Sequence, residues 1–559
     1  MYHQQLQPLG SLGLSALVAA LPLLVLFVLL GVFKTKAWLA SLIGLALAAG
    51  VALLAYQMPW EQVGMSAVAG FAFGVFPAMW VVVNALWIHN MTVKVGAFDV
   101  IQRSFVAVSG DKRIQGLVIA FCFGAVLEAL AGFGAPVAIC AVLLVSIGLS
   151  PLKAATAALV ANTAPVAYGA VGLPIVTLSA VTGLPVRELS RMTAHQVPLL
   201  AVLVPFVLMY LLDGRKGVRE TWPVALVCGL SFAVTQFLMA SWGPFELTDI
   251  AAGLVSALAV VAFVIRSPRF RDTPASAGDL GEMPPAGDPL LPAPTGGGGV
   301  ATAAHLDLDT TQDTLRDRLV AFSPYIIVIA LFSIASVPWV KETVGATTVR
   351  VDWPVLDVLT ADGEPSSVNT YTFDWLINGG TVLLAAGLIS AGVLRLPWAS
   401  VAASYGETLR QVRLAAVTVT SVLAMAYVMN ASGQTVTMGV FLAGAGGLFA
   451  VLSPILGWFG VAVTGSDTSS NSLFGALQVA AAQRTGISEV LLASANTSGG
   501  VLGKMLSPQN LAIGAAAVGL SGREGDLFRK VLVVTAVFLP LMCLLIFLQS
   551  TAVLGWMVP

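Results

Sequence analysis

Long apolar runs recur along most of this 559-residue chain and constrain its fold more than any other feature. Many of them reach the length of about 20 residues that an α-helix needs to cross the hydrocarbon core of a bilayer. Asp, Glu, Lys and Arg make up only 10% of the residues, whereas soluble proteins carry roughly 25%, so the chain cannot cover a large solvated surface. The sequence therefore predicts an all-α polytopic membrane protein with about 12–14 transmembrane helices.

Two zones differ from the continuous runs. Gly132–Gly183 and Thr464–Gly519 are apolar but are interrupted by Gly, Pro, Asn, Ser and Thr. Backbone can unwind at membrane depth only where it lines a cavity or is packed inside protein. We interpret both zones as broken helices or re-entrant hairpins. The residues expected to shape the breaks are Gly132, Gly134, Pro136, Gly169, Pro174, Gly503 and Pro508.

The distribution of Lys and Arg among the short loops predicts which loops face the cytoplasm. Basic residues follow the first apolar run and recur in the segments 94–113, 215–219, 266–271, 316–318 and 395–413. We expect these loops inside. Alternation along the chain then places both termini and the acid-rich segment 341–373 outside.

A polar segment rich in Pro and Gly, residues 267–318, separates two apolar parts of the chain. Such a composition cannot bury a core, so we expect a flexible cytoplasmic linker. It divides the chain into an N-terminal membrane half, 1–266, and a C-terminal membrane half, 319–559, of similar length.

The two halves share a motif. Ala161-Asn162-Thr163 recurs as Ala495-Asn496-Thr497, and the same spacing aligns Gly169 with Gly503 and Pro174 with Pro508. It also carries the basic loop before the first motif onto a region near Val428–Gly447 that has no Lys or Arg. The halves are therefore predicted to be inverted repeats, an arrangement typical of secondary transporters whose substrate site lies between the repeats.

Amide and hydroxyl side chains at these breaks suit a small carboxylate, because they offer hydrogen bonds beside the positive ends of half-helices. The alternative is that they cap helices or let helices approach closely. The candidate substrate-binding residues are Asn162, Thr163, Ser466, Thr468, Ser470, Asn471, Asn496, Thr497 and Lys504.

Three ionisable side chains lie within or beside the interrupted zones: Glu128, Asp467 and Lys504. A charge at the centre of a membrane helix costs about 2.5–3.5 kcal/mol, and such residues usually carry function. Lys504 either meets a substrate carboxylate or pairs with one of the acids. Glu128 and Asp467 are candidates for a proton-coupling site, with a structural ion pair at a helix end as the alternative.

Other classes of function find little support. The net charge of −1 gives no case for nucleic acid binding, and no cofactor or metal site is expected. The stretch Ser498–Met505 contains Gly503-Lys504 but lacks the first Gly and the Ser/Thr of a phosphate-binding loop. We therefore expect a secondary transporter and no enzyme. A sodium-coupled organic-anion carrier, or a membrane-embedded enzyme or respiratory subunit, are the alternatives.

The sequence resembles the L-lactate permease family. The resemblance rests on the segments Glu128–Pro136, Ala161–Pro165, Thr464–Asn471 and Ala495–Gln509, and it covers nearly the whole chain. It implies a symporter of the bacterial cytoplasmic (inner) membrane that takes up L-lactate, and often glycolate, together with protons.

The paired Asn-Thr motifs also resemble the Ser-Asn-Thr tips of a wider ion-transporter superfamily. Ala161 and Ala495 stand where that pattern has Ser, which favours proton coupling over sodium coupling. The partners implied are a small monocarboxylate, a proton and the lipid bilayer. The likeness also allows a homodimer with an elevator-like moving core.

Overall fold

The computed structural model of the chain describes residues 1–33, 35–106, 109–132, 134–271, 313–361 and 363–559. Most of the predicted linker and Phe133 of the Gly132–Pro136 turn lie outside the described residues. The helices before the linker are α1 (Leu12–Gly31), α2 (Ala37–Leu54), α3 (Trp60–Phe73), α4 (Trp80–Lys94), α5 (Ala97–Val106), α6 (Lys112–Leu117), α7 (Gly124–Ala131), α8 (Ala135–Ser146), α9 (Pro151–Ala161), α10 (Gly169–Thr182), α11 (Val186–Ala194), α12 (Val197–Ala201), α13 (Val204–Trp242), α14 (Thr248–Arg266) and α15 (Pro268–Arg271).

The second half contributes ten further helices among the described residues. They are α16 (Leu315–Ala335), α17 (Pro338–Gly345), α18 (Gly379–Val393), α19 (Trp398–Ser432), α20 (Gln434–Leu442), α21 (Phe449–Thr464), α22 (Asp467–Thr485), α23 (Glu489–Gly503), α24 (Pro508–Ala517) and α25 (Glu524–Gln549). Short π-helical turns join α3 to α4 and α6 to α7, and a 3-10 turn separates α23 from α24.

The prediction of a helical polytopic membrane protein is confirmed. Within the described part of the chain, ten helices are long and apolar enough to cross a membrane, or eleven if the bent pair of α9 and α10 is counted as one span. One of the ten, Val186–Trp242, extends over 57 residues and is interrupted at Gly214. At 1.5 Å per residue it measures about 85 Å, enough for two crossings of a hydrocarbon core about 30 Å thick.

Four short strands lie outside the helical part. Strand β1 (Tyr2–His3) pairs in parallel with β3 (Val358–Leu359), and β2 (Val349–Asp352) pairs antiparallel with β4 (Thr370–Phe373). Three of these strands fall in the segment 341–373, for which the sequence indicated only an external location. The N-terminus therefore lies beside that segment, as it should if both are outside.

Ion pairs join the basic loops to one another. Arg113 bonds both Asp213 and Glu220 at 2.8 Å, and Arg103 bonds Asp313 at 2.7 Å. These contacts connect the start of α6, the interruption of α13 and the segment before α16. Three of the loops that the charge distribution predicts to be cytoplasmic thus lie on a common face, which we name the basic face.

The repeated motif ends a helix in the first half and lies inside a continuous helix in the second half. In the first half, α9 ends at Ala161 and meets the segment that continues into α10 at an angle of 61°. In the second half, α23 runs through Ala495 to Gly503, where a 3-10 turn leads into α24. Ser507 caps α24 and Pro508 occupies its first turn, which explains why a new helix begins there.

Glycines allow α21 and α23 to approach closely. A Cβ atom added at Gly499 would lie 2.6 Å from the Cα of Pro454, and one at Gly503 would lie 2.8 Å from the backbone nitrogen of Ala462. Small residues at such contacts let the helix backbones touch. The resulting van der Waals contact stabilises the helix pair, because the hydrophobic effect does not drive helices together in lipid. The pair of helices that carries Asn496 and Lys504 is therefore held at a fixed separation.

Gly499→Ala is expected to destabilise the folded protein by about 1–3 kcal/mol, because the added methyl group overlaps the α21 backbone. The measurement is thermal unfolding of purified protein in detergent. Gly50→Ala is the matched control, since Gly50 lies in a helix with nothing within 4 Å of the added atom. Equal melting temperatures for the two variants would contradict the close contact.

Candidate functional site

A cavity of about 390 Å³ lies where α7, α10 and the start of α22 meet α2 and α19. The lining residues Lys36 and Leu414 are exposed, whereas the lining residues Glu128, Asp467 and Lys504 are deeply buried. The three charges selected from the sequence therefore share one cavity, although α7 belongs to the first half and the others to the second. Ser466 and Thr468 line the same cavity.

Glu128 and Lys504 form a buried ion pair. The Lys504 ammonium bonds Oε1 of Glu128, and Nδ2 of Asn162 donates to Oε2 of the same carboxylate at 2.9 Å. Both Glu128 and Lys504 are nine-tenths or more buried. A buried charge is tolerated only with such partners, so the three side chains depend on one another.

The backbone beside Glu128 is held in an uncommon conformation. Ala170 and Val171 have φ values of 44° and 57°, in the left-handed region that β-branched residues avoid. Strain of this kind costs about 1–3 kcal/mol per residue and is found mainly at functional sites. A Cβ atom on Gly169 would lie 3.0 Å from Oε1 of Glu128, so only glycine lets this segment pass the ion pair.

Asp467 begins α22 at the edge of the cavity. Ser466 caps this helix by accepting a hydrogen bond from the Ser469 N–H at 3.3 Å. Neither carboxyl oxygen of Asp467 has a hydrogen-bond partner among the described residues, although the side chain is buried. Its surroundings thus differ from those of Glu128, which has two partners.

The remaining polar candidates of the second half form a separate closed cluster. Nδ2 of Asn471 donates to Thr497 at 2.8 Å, and Nδ2 of Asn496 donates to Oδ1 of Asn471 at 2.9 Å. Asn496 also lies 3.4 Å from the Ser470 hydroxyl. Nδ2 of Asn471 further donates to the carbonyl of Pro174 at 3.1 Å, which ties α22 to α10 of the other half. None of these four side chains lines the cavity described above.

Thr163 is also away from the cavity. Its hydroxyl donates to the carbonyl of Val160 at 2.7 Å, one turn back along α9. The structure therefore brings together six of the candidate site residues, namely Glu128, Asn162, Ser466, Asp467, Thr468 and Lys504. It places Ser470, Asn471, Asn496 and Thr497 in contacts between helices, and Thr163 in a bond to the end of its own helix.

The residues expected to shape the breaks lie at turns or helix starts. Gly132 and Gly134 have φ values of 41° and 84° between α7 and α8, where L side chains would be strained. Pro136 lies in the first turn of α8 and Pro508 opens α24. Pro174 lies in α10 just after its left-handed residues, and Gly503 ends α23.

The two repeats are chemically unequal at the site. The spacing that relates Ala161 to Ala495 relates Glu128 to Ala462, and it relates Lys504 to Ala170. Each half thus contributes one member of the ion pair at a position where the other half has alanine. The arrangement produces a single asymmetric site and no duplicate of it.

Asp249 is the buried acid that sequence reasoning missed. It lies two residues after the start of the apolar run Leu247–Ile265, where an acidic residue is expected near the end of a membrane helix and draws no attention. In the structure it is fully buried on α14 and accepts a hydrogen bond from Gln236 at 3.0 Å. Lys36 and Gln509 also line the cavity and were not singled out.

The part of the chain that the structure describes contains no group of side chains arranged for metal binding and no disulfide. No group of three or more His, Cys, Asp and Glu side chains is arranged there to hold a metal ion. The Sγ atoms of Cys122 and Cys228 lie 3.7 Å apart as free thiols.

Comparison with known proteins gives a consistent result. A family model described as L-lactate permease matches residues 15–553. The L-lactate permease of Salmonella typhimurium is 39% identical over 576 residues, covering all of both chains. The glycolate permease GlcA of Escherichia coli is 39% identical over 570 residues, covering all of this chain and 99% of its own.

Among solved structures, MtrF of Neisseria gonorrhoeae, described as illuminating a class of antimetabolite efflux pumps, aligns with a TM-score of 0.46 and 14% identity. The alignment covers 87% of this chain and 84% of that one.

Breaking the buried ion pair by Lys504→Met is expected to destabilise the protein by about 3–5 kcal/mol, because Glu128 is left as an uncompensated buried charge. Adding Glu128→Gln should recover most of that loss. Thermal unfolding of the two single variants and the double variant, at a slightly alkaline pH, provides the measurement.

The matched control is the exposed pair Lys94 and Glu407, whose removal should cost less than about 1 kcal/mol. If the losses of Lys504→Met and Glu128→Gln simply added in the double variant, the two side chains would not be coupled.

Proposed function

We propose that this chain, which belongs to the L-lactate permease family, is a secondary transporter that carries lactate, glycolate and related small 2-hydroxy monocarboxylates across the bacterial cytoplasmic membrane together with protons. The named substrates of the full-length relatives support the substrate class. The observation that carries the proton coupling is the buried Glu128–Lys504 pair on the cavity wall.

The argument for protons starts from the charge of the site. With Glu128 and Asp467 ionised and Lys504 positive, the buried end of the cavity already holds one excess negative charge. A substrate carboxylate adds another in a region of low dielectric, where like charges repel strongly. One proton taken up with each substrate offsets that charge, and transport is then electroneutral.

Competition for Lys504 links the two ligands. An incoming carboxylate forms its bond with the Lys504 ammonium while the bond between Lys504 and Glu128 breaks. Glu128 then lacks its counter-charge and takes up a proton, which Asn162 tolerates because its amide can either donate or accept. Asp467, which has no partner to lose, is the second proton-binding candidate.

The rest of the cavity fits a small 2-hydroxy acid. Ser466 and Thr468 offer hydroxyl groups at the N-terminus of α22, where the helix dipole favours an anion. Leu173 and Val419 offer apolar contact for a methyl group such as that of lactate. Dicarboxylates find no second buried cation near Lys504 among the described lining residues, since Lys36 lies in the exposed part of the cavity.

In this conformation the cavity opens toward the cytoplasm. Its exposed part lies at Lys36 and Leu414, and the adjoining loops carry the basic residues that indicate an inner location. Helices α10 and α14 pack against α7, which carries Glu128. The structure thus fits an inward-facing state of the carrier.

Purified protein in liposomes is expected to accumulate L-lactate when an inward proton gradient is imposed, because each substrate charge must be compensated. Accumulation is measured with labelled lactate, with the internal and external pH set independently. A proton ionophore should abolish accumulation, and replacing sodium by potassium should leave it unchanged. Uptake that requires sodium and ignores the proton gradient would overturn the proposal in favour of a sodium-coupled carrier.

Glu128→Gln and Asp467→Asn should separate the proton carrier from the other acid. The variant that has lost the proton carrier should no longer accumulate lactate with the gradient, yet should still exchange external for internal lactate at equal pH. Both assays use the same liposomes, so exchange controls for folding. If both variants still respond fully to the gradient, neither acid carries the coupled proton.

A further inference from the structure

Asp249 is a buried acid that the transport cycle described above does not use. It lies in α14, its side chain is fully buried, and its Oδ2 atom has no hydrogen-bond partner among the described residues. An isolated ionised carboxylate at such a position costs several kcal/mol. The residue needs a physical explanation beyond helix packing.

Asp249 is connected to the break that carries Asn162. Nε2 of Gln236 donates both to Oδ1 of Asp249 at 3.0 Å and to the carbonyl of Ala164 at 3.1 Å. Ala164 follows Asn162 by two residues, and Asn162 donates to Glu128. Hydrogen bonds thus tie Asp249 to the backbone just after Asn162, and Asn162 in turn to Glu128, so both acids are attached to the same break in the helix.

This connection contains acceptors without donors. Oδ2 of Asp249, Oε1 of Gln236 and Oδ1 of Asn162 are all buried and unpaired among the described residues. Buried acceptors without a hydrogen-bond donor destabilise the folded protein, so this row of acceptors needs at least one donor. A proton on Asp249, or a water molecule beside it, supplies such a donor.

The charged and titratable neighbours of Asp249 are few. Glu128 on α7 and Lys504 are close enough to interact with it electrostatically, and Tyr168 faces it from the 3-10 turn before α10. Glu246 lies three residues earlier in the chain. Farther along α14, toward the basic face, Ser256 contacts the thiols of Cys122 and Cys228. Lys504 is thus the only cation close to Asp249 within the part of the chain that the structure describes, and Glu128 already uses it.

We propose that Asp249 and Glu128 form a proton-sharing pair. Asp249 holds the proton while Lys504 pairs with Glu128. When a substrate carboxylate takes over Lys504, the proton passes from the Asp249 carboxyl to the Glu128 carboxylate, and the negative charge moves to Asp249. Asp249 then takes up a proton from water before the substrate crosses, so one proton is still taken up with each substrate. This inference rests on the proposed function, since it requires substrate to compete for Lys504.

The transfer of the proton from Asp249 to Glu128 lowers the electrostatic repulsion at the substrate. Without it, Glu128 and the substrate carboxylate would face each other across one ammonium group. With it, the negative charge moves to Asp249, which is separated from the substrate by Asn162 and Gln236 and accepts a hydrogen bond from Gln236. Coulomb repulsion falls with distance, so the substrate binds without waiting for a proton from bulk water.

Asp249→Asn is the test, because asparagine keeps the acceptor for Gln236 and removes the titrating group. Lactate uptake by liposomes gives KM at several values from about pH 6 to about pH 8, all with the same imposed pH difference. At the alkaline end, KM of the variant should exceed that of the wild type by at least about tenfold, because Glu128 must now take its proton from a dilute bulk supply. At the acid end, the two values should agree within about twofold.

Three further variants distinguish proton sharing from a structural role. Asp249→Glu keeps a titrating group and should restore the wild-type pH profile. In a Glu128→Gln background, Asp249→Asn should not change the KM of lactate exchange at equal pH any further, because the amide at position 128 accepts no proton. Glu246→Gln removes a neighbouring acid that has no contact with Gln236 among the described bonds, and should behave as the wild type.

The outcomes separate the two proposals. If the wild type shows no proton-driven lactate uptake, the proposed function fails. If the wild type transports but Asp249→Asn has the same KM as the wild type at every pH, proton sharing fails while the proposed function stands. A raised KM that acid pH does not restore, or that persists in the Glu128→Gln background, would also overturn proton sharing.

Discussion

One interaction organises the interior of this protein: the buried pair of Glu128 and Lys504. A lone charge in a membrane-embedded core is costly, and even a paired one must satisfy its remaining hydrogen bonds. The structure meets that requirement with Asn162 on the carboxylate and with a strained, glycine-opened segment that passes directly beside it. Helix breaks, left-handed residues and the cavity itself are arranged around this contact.

The internal repeat explains how such a contact can form. In the first half a helix ends at the Asn-Thr motif, and in the second half the helix that carries the motif continues to Gly503. Each break brings polar groups to a depth where regular helices would bury them against lipid or apolar side chains. Because Glu128 and Lys504 occupy positions where the other half has alanine, the pair joins the halves and does not stabilise either alone. The Asn471 bond to the Pro174 carbonyl makes a second link of the same kind.

Much of this could be read from the sequence, since the physics of a membrane chain leaves few options for polar residues. The helical architecture, the breaks and the charges Glu128, Asp467 and Lys504 follow from where polar side chains interrupt apolar runs. Composition cannot tell a side chain that faces a cavity from one that bonds a neighbouring helix, as Asn471 does, or the end of its own helix, as Thr163 does. Asp249 escaped notice because one acid near the end of an apolar run resembles an ordinary interfacial residue. Strand β3 of the segment 341–373 pairs with β1 at the distant N-terminus, and short apolar patterns do not reveal such a pairing.

The two polar clusters differ in how readily they can change. Around Asn471 each amide and hydroxyl is engaged with another side chain or a carbonyl, so rearrangement there would leave several groups unpaired at once. Around Glu128 the partners are few and replaceable: a substrate carboxylate can substitute for Glu128 on Lys504, and a proton can substitute for Lys504 on Glu128. A response to substrate and protons therefore concentrates at the Glu128–Lys504 pair, while the Asn471 cluster keeps α10, α22 and α23 together during that exchange. In the proposed mechanism the two ligands are coupled because they compete for one ammonium group, and that competition needs no large rearrangement of the surrounding helices.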